Sequence, residues 1–174
     1  MDYRNTMLEI RSATPSDNEA IIRLMQQHMS EKGLEVQADV VALTVEYVLN
    51  SSAYTTFLAE DTLQNTIGIV SVVGLPNNGL DAPDYFLENL YVDPSYRDAS
   101  VGKHLIEHAV KMCSPSIATS VAVSEMQTVG HWFVDQGFQP CDSEQAASIT
   151  DALENLPLKL GSEGTLQYYI HRRQ

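Results

Sequence analysis

The residues best suited to chemistry lie between Arg97 and Lys103, where a predicted strand ends and a predicted helix begins. Helix N-termini carry backbone N–H groups without intrahelical partners and a partial positive charge, so they bind phosphate groups. Ala99, Ser100 and Gly102 are small enough to let an anion approach that backbone, and Arg97 and Lys103 add positive charge. The segment predicts a phosphate-binding loop, with an ordinary strand-to-helix turn of small residues as the alternative.

A second pattern lies in the helix that follows, where His104, Glu107 and His108 match the His-x-x-Glu-His arrangement of inverted zinc peptidases. Two histidines four residues apart share a helix face, as metal ligation requires. However, the apolar stripe of this helix contains Val101 and Leu105, so His104 projects away from the stripe and His108 lies at its edge. A solvated pair without an assured third ligand is a poor zinc site, and the sequence predicts no metal.

Hydrophobic periodicity predicts the elements that position this loop. Strand patterns cover residues 7–13, 54–60, 66–75, 85–92, 117–123 and 165–171. Helical spacing covers residues 15–31, 37–50, 100–113, 126–136 and 143–155, with Gly137 as the C-cap of the fourth helix. Including a short strand after Gly137, the order is β-α-α-β-β-β-α-β-α-β-α-β. This order predicts a single α/β (α+β) domain over residues 1–174, with a mixed sheet flanked by helices on both faces.

The composition narrows the classes of partner. The 174 residues include 23 acidic and 10 basic side chains, for a formal net charge of −13. Such a surface disfavours nucleic acid and anionic membranes, tolerates cationic ligands, and can equally serve solubility. Two cysteines, Cys113 and Cys141, are too few for a disulfide framework, and no apolar run is long enough for a signal or a membrane span. A cytoplasmic protein is expected.

Three segments together resemble the GNAT-type N-acetyltransferase superfamily. Residues 90–109, LYVDPSYRDASVGKHLIEHA, resemble its acetyl-CoA-binding segment, with the pattern Arg/Gln-x-x-Gly-x-Gly/Ala at the start of a long helix. Arg97 matches the first position and Gly102 the last, whereas Ser100 stands where the family usually has glycine. Residues 10–25 are similar to the first strand and helix of the family, and residues 128–140 resemble a later helix that ends in Gly-Phe. The resemblance spans residues 8–140 and the final strand.

The resemblance implies acetyl-CoA as co-substrate. Its binding residues would be Leu90, Tyr91, Val92, Arg97, Asp98, Ala99, Ser100, Val101, Gly102 and Lys103. In the family, a backbone N–H near residues 90–92 stabilises the developing oxyanion where two strands separate, and the same opening pairs with the pantetheine arm. The acceptor side would involve Glu31, Glu35 and residues 76–84.

Glu88 is the candidate general base, because the acceptor amine arrives as an ammonium ion and must lose a proton. Strand alternation places it on one face with Phe86, Leu90 and Val92, and apolar neighbours raise the pKa of a carboxyl group. Several members of the family carry an acid at this position. The alternative is an exposed strand residue or one half of an ion pair.

The leaving thiolate has no evident proton donor. Many members of the family carry a tyrosine four residues before the glycine of Gly-Phe, where this chain has Phe133. Alkyl thiols have a pKa near 8.5, so a thiolate can leave without protonation. Substitute donors, left open by the sequence, are Tyr91, Ser124, Tyr168 and Tyr169.

These inferences predict an acetyl-CoA-dependent N-acetyltransferase. It would transfer acetyl to a primary amine of a small molecule or peptide by direct attack, without a covalent enzyme intermediate. The acidic charge slightly favours cationic acceptors such as polyamines, aminoglycosides or basic peptides. The alternative is an acyl-CoA-binding or sensor domain with little turnover. The sequence identifies neither the acceptor nor the oligomeric state, for which a homodimer is one option.

Overall fold

A computed structural model describes residues 8–75, 84–113, 120–126, 130–155 and 166–172. The strands in these ranges are β1 (Glu9–Ser12), β2 (Tyr54–Glu60), β3 (Thr66–Gly74), β4 (Tyr85–Val92), β5 (Ser120–Met126), β6 (Gln139–Pro140) and β7 (Leu166–Arg172). The α-helices are α1 (Asn18–Glu31), α2 (Ala38–Asn50), α3 (Val101–Cys113), α4 (Gly130–Asp135) and α5 (Ser143–Glu154). Two 3-10 helices, Pro15–Asp17 and Pro94–Ala99, precede α1 and α3. The mixed α/β fold class and the order of elements predicted from the sequence are confirmed.

The chain divides into two compact units. The first consists of residues up to Val72 together with Asn89–Ala109, and the second consists of Val73–Glu88 together with the residues from Val110 onwards. A single domain over residues 1–174 stays a prediction. No helix in the described ranges is long and apolar enough to cross a membrane.

The first unit packs two helices on a sheet. Its strand order is β1-β2-β3 and then the C-terminal half of β4, with β1 antiparallel to β2 from Glu9↔Glu60 to Ser12↔Phe57. Apolar residues at helical spacing supply the core face of α1 and α2, because positions three and four apart share one side of a helix. The buried cluster consists of Ile21, Leu24, Met25, Val41, Val45, Leu58, Ile69 and Tyr91.

The start of α3 lies unusually close to β3 within this unit. A β-carbon on Gly68 would lie 3.0 Å from Leu105 Cδ1, 3.2 Å from Val101 Cγ1 and 3.3 Å from the Tyr91 carbonyl oxygen. These distances are shorter than most β-carbon contacts, so a methyl group on residue 68 would force its neighbours to shift by a few tenths of an ångström.

The second unit is a mixed sheet in the order β4-β5-β7-β6. The N-terminal half of β4 pairs in parallel with β5 from Tyr85↔Val121 to Leu87↔Val123. β5 and β6 both pair antiparallel to β7. α5 starts at a capping box in which the Asp142 carboxylate accepts from the Gln145 backbone N–H at 2.8 Å, and buries Ile149 and Ala152.

The structure corrects the predicted boundary between β5 and α4. Residue Met126 was assigned to a helix from its spacing, but it is the last residue of β5 and pairs with Leu166 of β7. α4 consequently begins at Gly130, four residues later than predicted. Cross-strand pairing over seven residue pairs outweighs the local helical spacing at this position. Residues 117–119 of the predicted strand lie outside the described ranges.

Candidate active site

The predicted phosphate-binding loop is a 3-10 helix followed directly by α3. The Asp93 carboxylate accepts from the Ser95 N–H at 3.0 Å and begins the 3-10 helix. Ser100 ends it in the left-handed region, with φ 59° and ψ 19°. A side chain in that region costs about 1–2 kcal/mol because its β-carbon crowds the following carbonyl oxygen. Glycine would adopt this conformation without that cost.

In the first turn of α3, the side chain of the first residue is buried, whereas the next two residues are more exposed. The Val101 side chain is buried in the core, so only its main chain can face an anion, whereas Gly102 is half-buried and Lys103 is exposed. Lys103 Nζ lies 3.8 Å from Glu107 Oε1, one turn further along α3. The backbone of Asp98 and Ala99 belongs to the 3-10 helix, and their side chains lie outside the description.

The two histidines of α3 have different surroundings. His104 is exposed, and its Nδ1 lies 2.8 Å from the Ser100 carbonyl oxygen. His108 packs edge-on against Phe57, with ring centroids 4.9 Å apart. In the described parts of the chain, no three His, Cys, Asp or Glu residues are grouped as a metal site requires.

Arg97, in the 3-10 helix, is held by α1 and by the end of β4. Its Nη2 donates to Glu31 Oε1 at 2.8 Å and to Glu31 Oε2 at 2.7 Å, and its Nε donates to the Val92 carbonyl oxygen at 3.0 Å. The guanidinium carbon lies 5.4 Å from the centroid of the Tyr91 ring. Three predicted cofactor residues, Tyr91, Val92 and Arg97, are thus in contact, and Glu31 joins them.

The Tyr91 hydroxyl donates to Glu31 Oε1 at 2.8 Å. Burial alone would raise the pKa of Glu31, but hydrogen bonds from Arg97 and Tyr91 outweigh it and hold this pKa below its usual value. Burial, with the Glu31 hydrogen bond, raises the pKa of Tyr91 to about 12, so the phenol is protonated at neutral pH. His28 packs against Tyr91 with ring centroids 5.2 Å apart, and burial lowers its pKa to about 4. The cluster therefore contains one carboxylate, one guanidinium and two neutral rings.

Glu88 stands near the middle of β4 in a different environment. Its side chain is half-buried, and its Oε2 is buried without a hydrogen-bond partner among the described residues. Burial raises the pKa of this carboxyl group to about 7. Near neutral pH, Glu88 can therefore exchange a proton.

Asn89, directly after Glu88, breaks the regular strand. Its φ is 55°, in the left-handed region, which asparagine tolerates better than most residues. Glu88, Leu90 and Val92 are all half-buried, and the left-handed Asn89 between Glu88 and Leu90 interrupts the regular alternation on which their grouping was predicted. Hydrophobic periodicity does not indicate the special role of Asn89, and the available signal was a lone asparagine inside a strand pattern.

Phe133 is a core residue of the second unit. It is fully buried, and its ring centroid lies 5.0 Å from Trp132, 5.7 Å from Phe138 and 5.9 Å from Tyr169. Of the substitute proton donors, Tyr169 stacks on Phe133, Tyr168 contacts Phe86, and Tyr91 donates to Glu31. The Ser124 side chain lies outside the description.

Comparison with known proteins agrees with this geometry at the level of the fold. An acetyltransferase of the GNAT family from Staphylococcus aureus Mu50 has a TM-score of 0.67 and 17% identity, covering 95% of this chain and 98% of that one. An aminoglycoside N-acetyltransferase in complex with CoA has a TM-score of 0.68 and 19% identity, covering 82% of this chain and 94% of that one. A spermidine N-acetyltransferase from Vibrio cholerae has a TM-score of 0.66 and 13% identity, covering 95% of this chain and 93% of that one. Among curated proteins, none is significantly similar in sequence.

The family itself is established by sequence. The model of the acetyltransferase (GNAT) family matches residues 16–130, more than half of the chain. That range contains Glu88, Arg97 and the beginning of α3. The chain therefore belongs to the acetyltransferase (GNAT) family, a family of N-acetyltransferases.

Proposed function

We propose that the protein transfers the acetyl group of acetyl-CoA to a primary amine by direct attack, with Glu88 as general base. The observation that carries this proposal is the buried Oε2 of Glu88, which has no hydrogen-bond partner in the described parts of the chain, together with a carboxyl pKa raised to about 7. A general base works best when its pKa lies near the working pH, because it is then both ionised and basic enough to take a proton.

The residues at the start of α3 fit the pyrophosphate of acetyl-CoA. The first i→i−4 hydrogen bond of this helix runs from the His104 N–H to the Ser100 carbonyl oxygen at 3.1 Å. The N–H groups of Val101, Gly102 and Lys103 precede that bond and are the donors that a helix N-terminus offers to an anion. Arg97 would add a guanidinium. When bound, acetyl-CoA supplies an acetyl thioester.

Glu88 would take one proton from the acceptor ammonium. The neutral nitrogen then has a lone pair with which to form the new N–C bond, and the C–S bond breaks with its electron pair on sulfur. The nitrogen, positively charged once the N–C bond has formed, loses a second proton to water, which leaves the neutral amide. The backbone N–H groups of residues 90–92, beyond the break at Asn89, are proposed donors to the carbonyl oxygen. Since thiols have a pKa near 8.5, sulfur needs no proton donor at the position of Phe133.

A cationic amine is the proposed class of acceptor. The formal net charge of −13 favours positively charged molecules. Two proteins of similar fold are described as aminoglycoside and spermidine N-acetyltransferases. A panel containing spermidine, an aminoglycoside and a lysine-rich peptide, with thiol release from acetyl-CoA as readout, samples this class.

The decisive variant is Glu88→Gln, which keeps the shape of the side chain and removes the base. We expect kcat to fall by about 10²- to 10⁴-fold and the ionisation near pH 7 to disappear from the kcat/KM profile. The matched control is Glu46→Gln, an exposed carboxyl on α2, which should leave both unchanged. An unaltered kcat and pH profile in Glu88→Gln would show that Glu88 is not the base.

A sensor domain that binds acyl-CoA with little turnover is the second candidate. It is favoured by Phe133, a buried residue without a hydroxyl at the position where many relatives carry tyrosine. CoA binding by calorimetry, combined with no amine-dependent thiol release across the panel, would favour this candidate over the enzyme.

A further inference from the structure

The guanidinium proposed to bind the cofactor is already paired with a carboxylate of the chain itself. We propose that Glu31 sets the affinity of the cofactor site: it occupies Arg97, and the pyrophosphate of acetyl-CoA has to displace it. This inference rests on the proposed function, because it assumes that Arg97 binds the pyrophosphate.

The hydrogen bonds of Arg97 explain why the two anions compete. A guanidinium binds phosphate through two parallel N–H donors, either from Nη1 and Nη2 or from Nε and Nη2. Both Glu31 oxygens accept from Nη2, at 2.8 and 2.7 Å, and the Val92 carbonyl oxygen accepts from Nε. Because Nη2 belongs to both donor pairs, neither pair is available while Glu31 is in place.

The exchange would be easy. The side chains of Arg97 and Glu31 are 46% and 42% exposed, and exposed ion pairs are weak. Glu31 also keeps a partner after Arg97 leaves, because the Tyr91 hydroxyl donates to its Oε1 at 2.8 Å. Displacement therefore does not leave the carboxylate without a donor, and the pair can reform when the cofactor dissociates.

A second ion pair at the same loop provides a matched control. Glu107 lies 3.8 Å from Lys103, and both side chains are more exposed than those of Glu31 and Arg97. Glu107 carries the same charge as Glu31 and lies beside the same predicted anion site, but it does not occupy Arg97. Removing it changes the local charge and ends the weak 3.8 Å pairing of Lys103, but it does not release the guanidinium.

The test is a titration of CoA by isothermal calorimetry into the wild-type protein, Glu31→Gln and Glu107→Gln at one ionic strength. Glutamine at position 31 keeps an oxygen that can accept from Tyr91 but carries no charge to hold Arg97. We expect Glu31→Gln to lower the Kd of CoA by about 2- to 5-fold and Glu107→Gln to change it by less than about 1.5-fold. The KM for acetyl-CoA should fall in parallel with the Kd.

Repeating the titration in an Arg97→Ala background distinguishes the release of Arg97 from the general electrostatic effect of removing a negative charge. There, Glu31→Gln should no longer tighten CoA binding, because no guanidinium remains to be released. Equal tightening with and without Arg97, or a wild-type protein that binds CoA no more weakly than Glu31→Gln, would overturn the inference and leave the proposed function standing. Failure of every folded variant and the wild type to bind CoA would overturn the proposed function, and the inference with it.

Discussion

Glu31 and Glu88 carry the same functional group in opposite electrostatic settings. Glu31, at the end of α1 in the first unit, accepts hydrogen bonds from Arg97 and Tyr91, which hold its carboxyl pKa below the usual value. Glu88, in β4 of the second unit, has a buried oxygen without a partner among the described residues, and burial raises its pKa to about 7. The number of donors, rather than burial alone, separates the two.

The difference shows which carboxyl group can hold a cation and which can exchange a proton. A carboxylate with charged and neutral donors stays an anion throughout the neutral range, so it can hold or release a cation but cannot exchange a proton. A carboxyl group with a pKa near 7 can exchange a proton at each turnover. Its burial has a cost to folding, which is typical of catalytic groups.

The largest expected effect is on the pH dependence of stability through Glu88. The pKa of this group is about 7 in the folded chain, against 4.5 as the ordinary value, so the folded chain holds the proton more tightly between those pH values. The stability of the wild type should fall as pH rises through this window. The free energy of unfolding of Glu88→Gln, measured relative to that of the wild type, should therefore rise by about 3 kcal/mol between pH 4 and pH 8. Urea unfolding at both pH values measures this, and a constant difference would contradict the assigned pKa.

A smaller effect is expected for Tyr91→Phe, which removes one donor from Glu31. The loss of a hydrogen bond to a charged group should lower the free energy of unfolding by about 1–2 kcal/mol at pH 7. Tyr47→Phe, at a half-exposed position of α2, is the control and should change stability by less than about 0.5 kcal/mol. If the two variants are equally stable, the Tyr91 hydroxyl does not support the ion pair.

Ser100→Gly tests whether backbone strain at the end of the 3-10 helix lowers the stability of the folded chain. Glycine adopts the left-handed conformation without the cost of a β-carbon, so unfolding should require about 1 kcal/mol more. Ser95→Gly, in the 3-10 helix outside the left-handed region, should instead lose about 0.5–1 kcal/mol. Thermal unfolding of the pair measures the difference, and the same sign for both would refute the backbone explanation.

The smallest effect is expected for the stability of Glu31→Gln. Glu31 has a lowered pKa, so its contribution is present above the ordinary value of 4.5 and is lost as pH falls below it. The pair is exposed and screened, so the cost at pH 7 should be less than about 1 kcal/mol, opposite in sign to that of Glu88→Gln. Denaturation at pH 7 with low and high salt checks this, since a cost that salt does not reduce would not come from the ion pair.

The sequence predicted the parts of the site that depend on local pattern. Arg97, Gly102 and the start of α3 follow from small residues and charge at a strand-to-helix turn. The position of Glu88 within an apolar strand pattern also predicts a raised pKa, and burial raises it. The pairing of Arg97 with Glu31 could not be predicted, because the two residues are 66 positions apart and meet only through tertiary packing. Periodicity also could not reveal the left-handed Asn89, since one residue changes the geometry without changing the strand composition.

Gly68 has a consequence for the start of α3, where the pyrophosphate of acetyl-CoA is proposed to bind. The side chains of Val101 and Leu105 and the carbonyl of Tyr91 meet where that residue has only a hydrogen atom. A larger residue there would force the side chains of Val101 and Leu105 or the Tyr91 carbonyl to shift. The absence of a side chain at Gly68 thus lets the first turns of α3 pack closely against β3, and this packing sets the position of the helix N-terminus that is proposed to bind the cofactor.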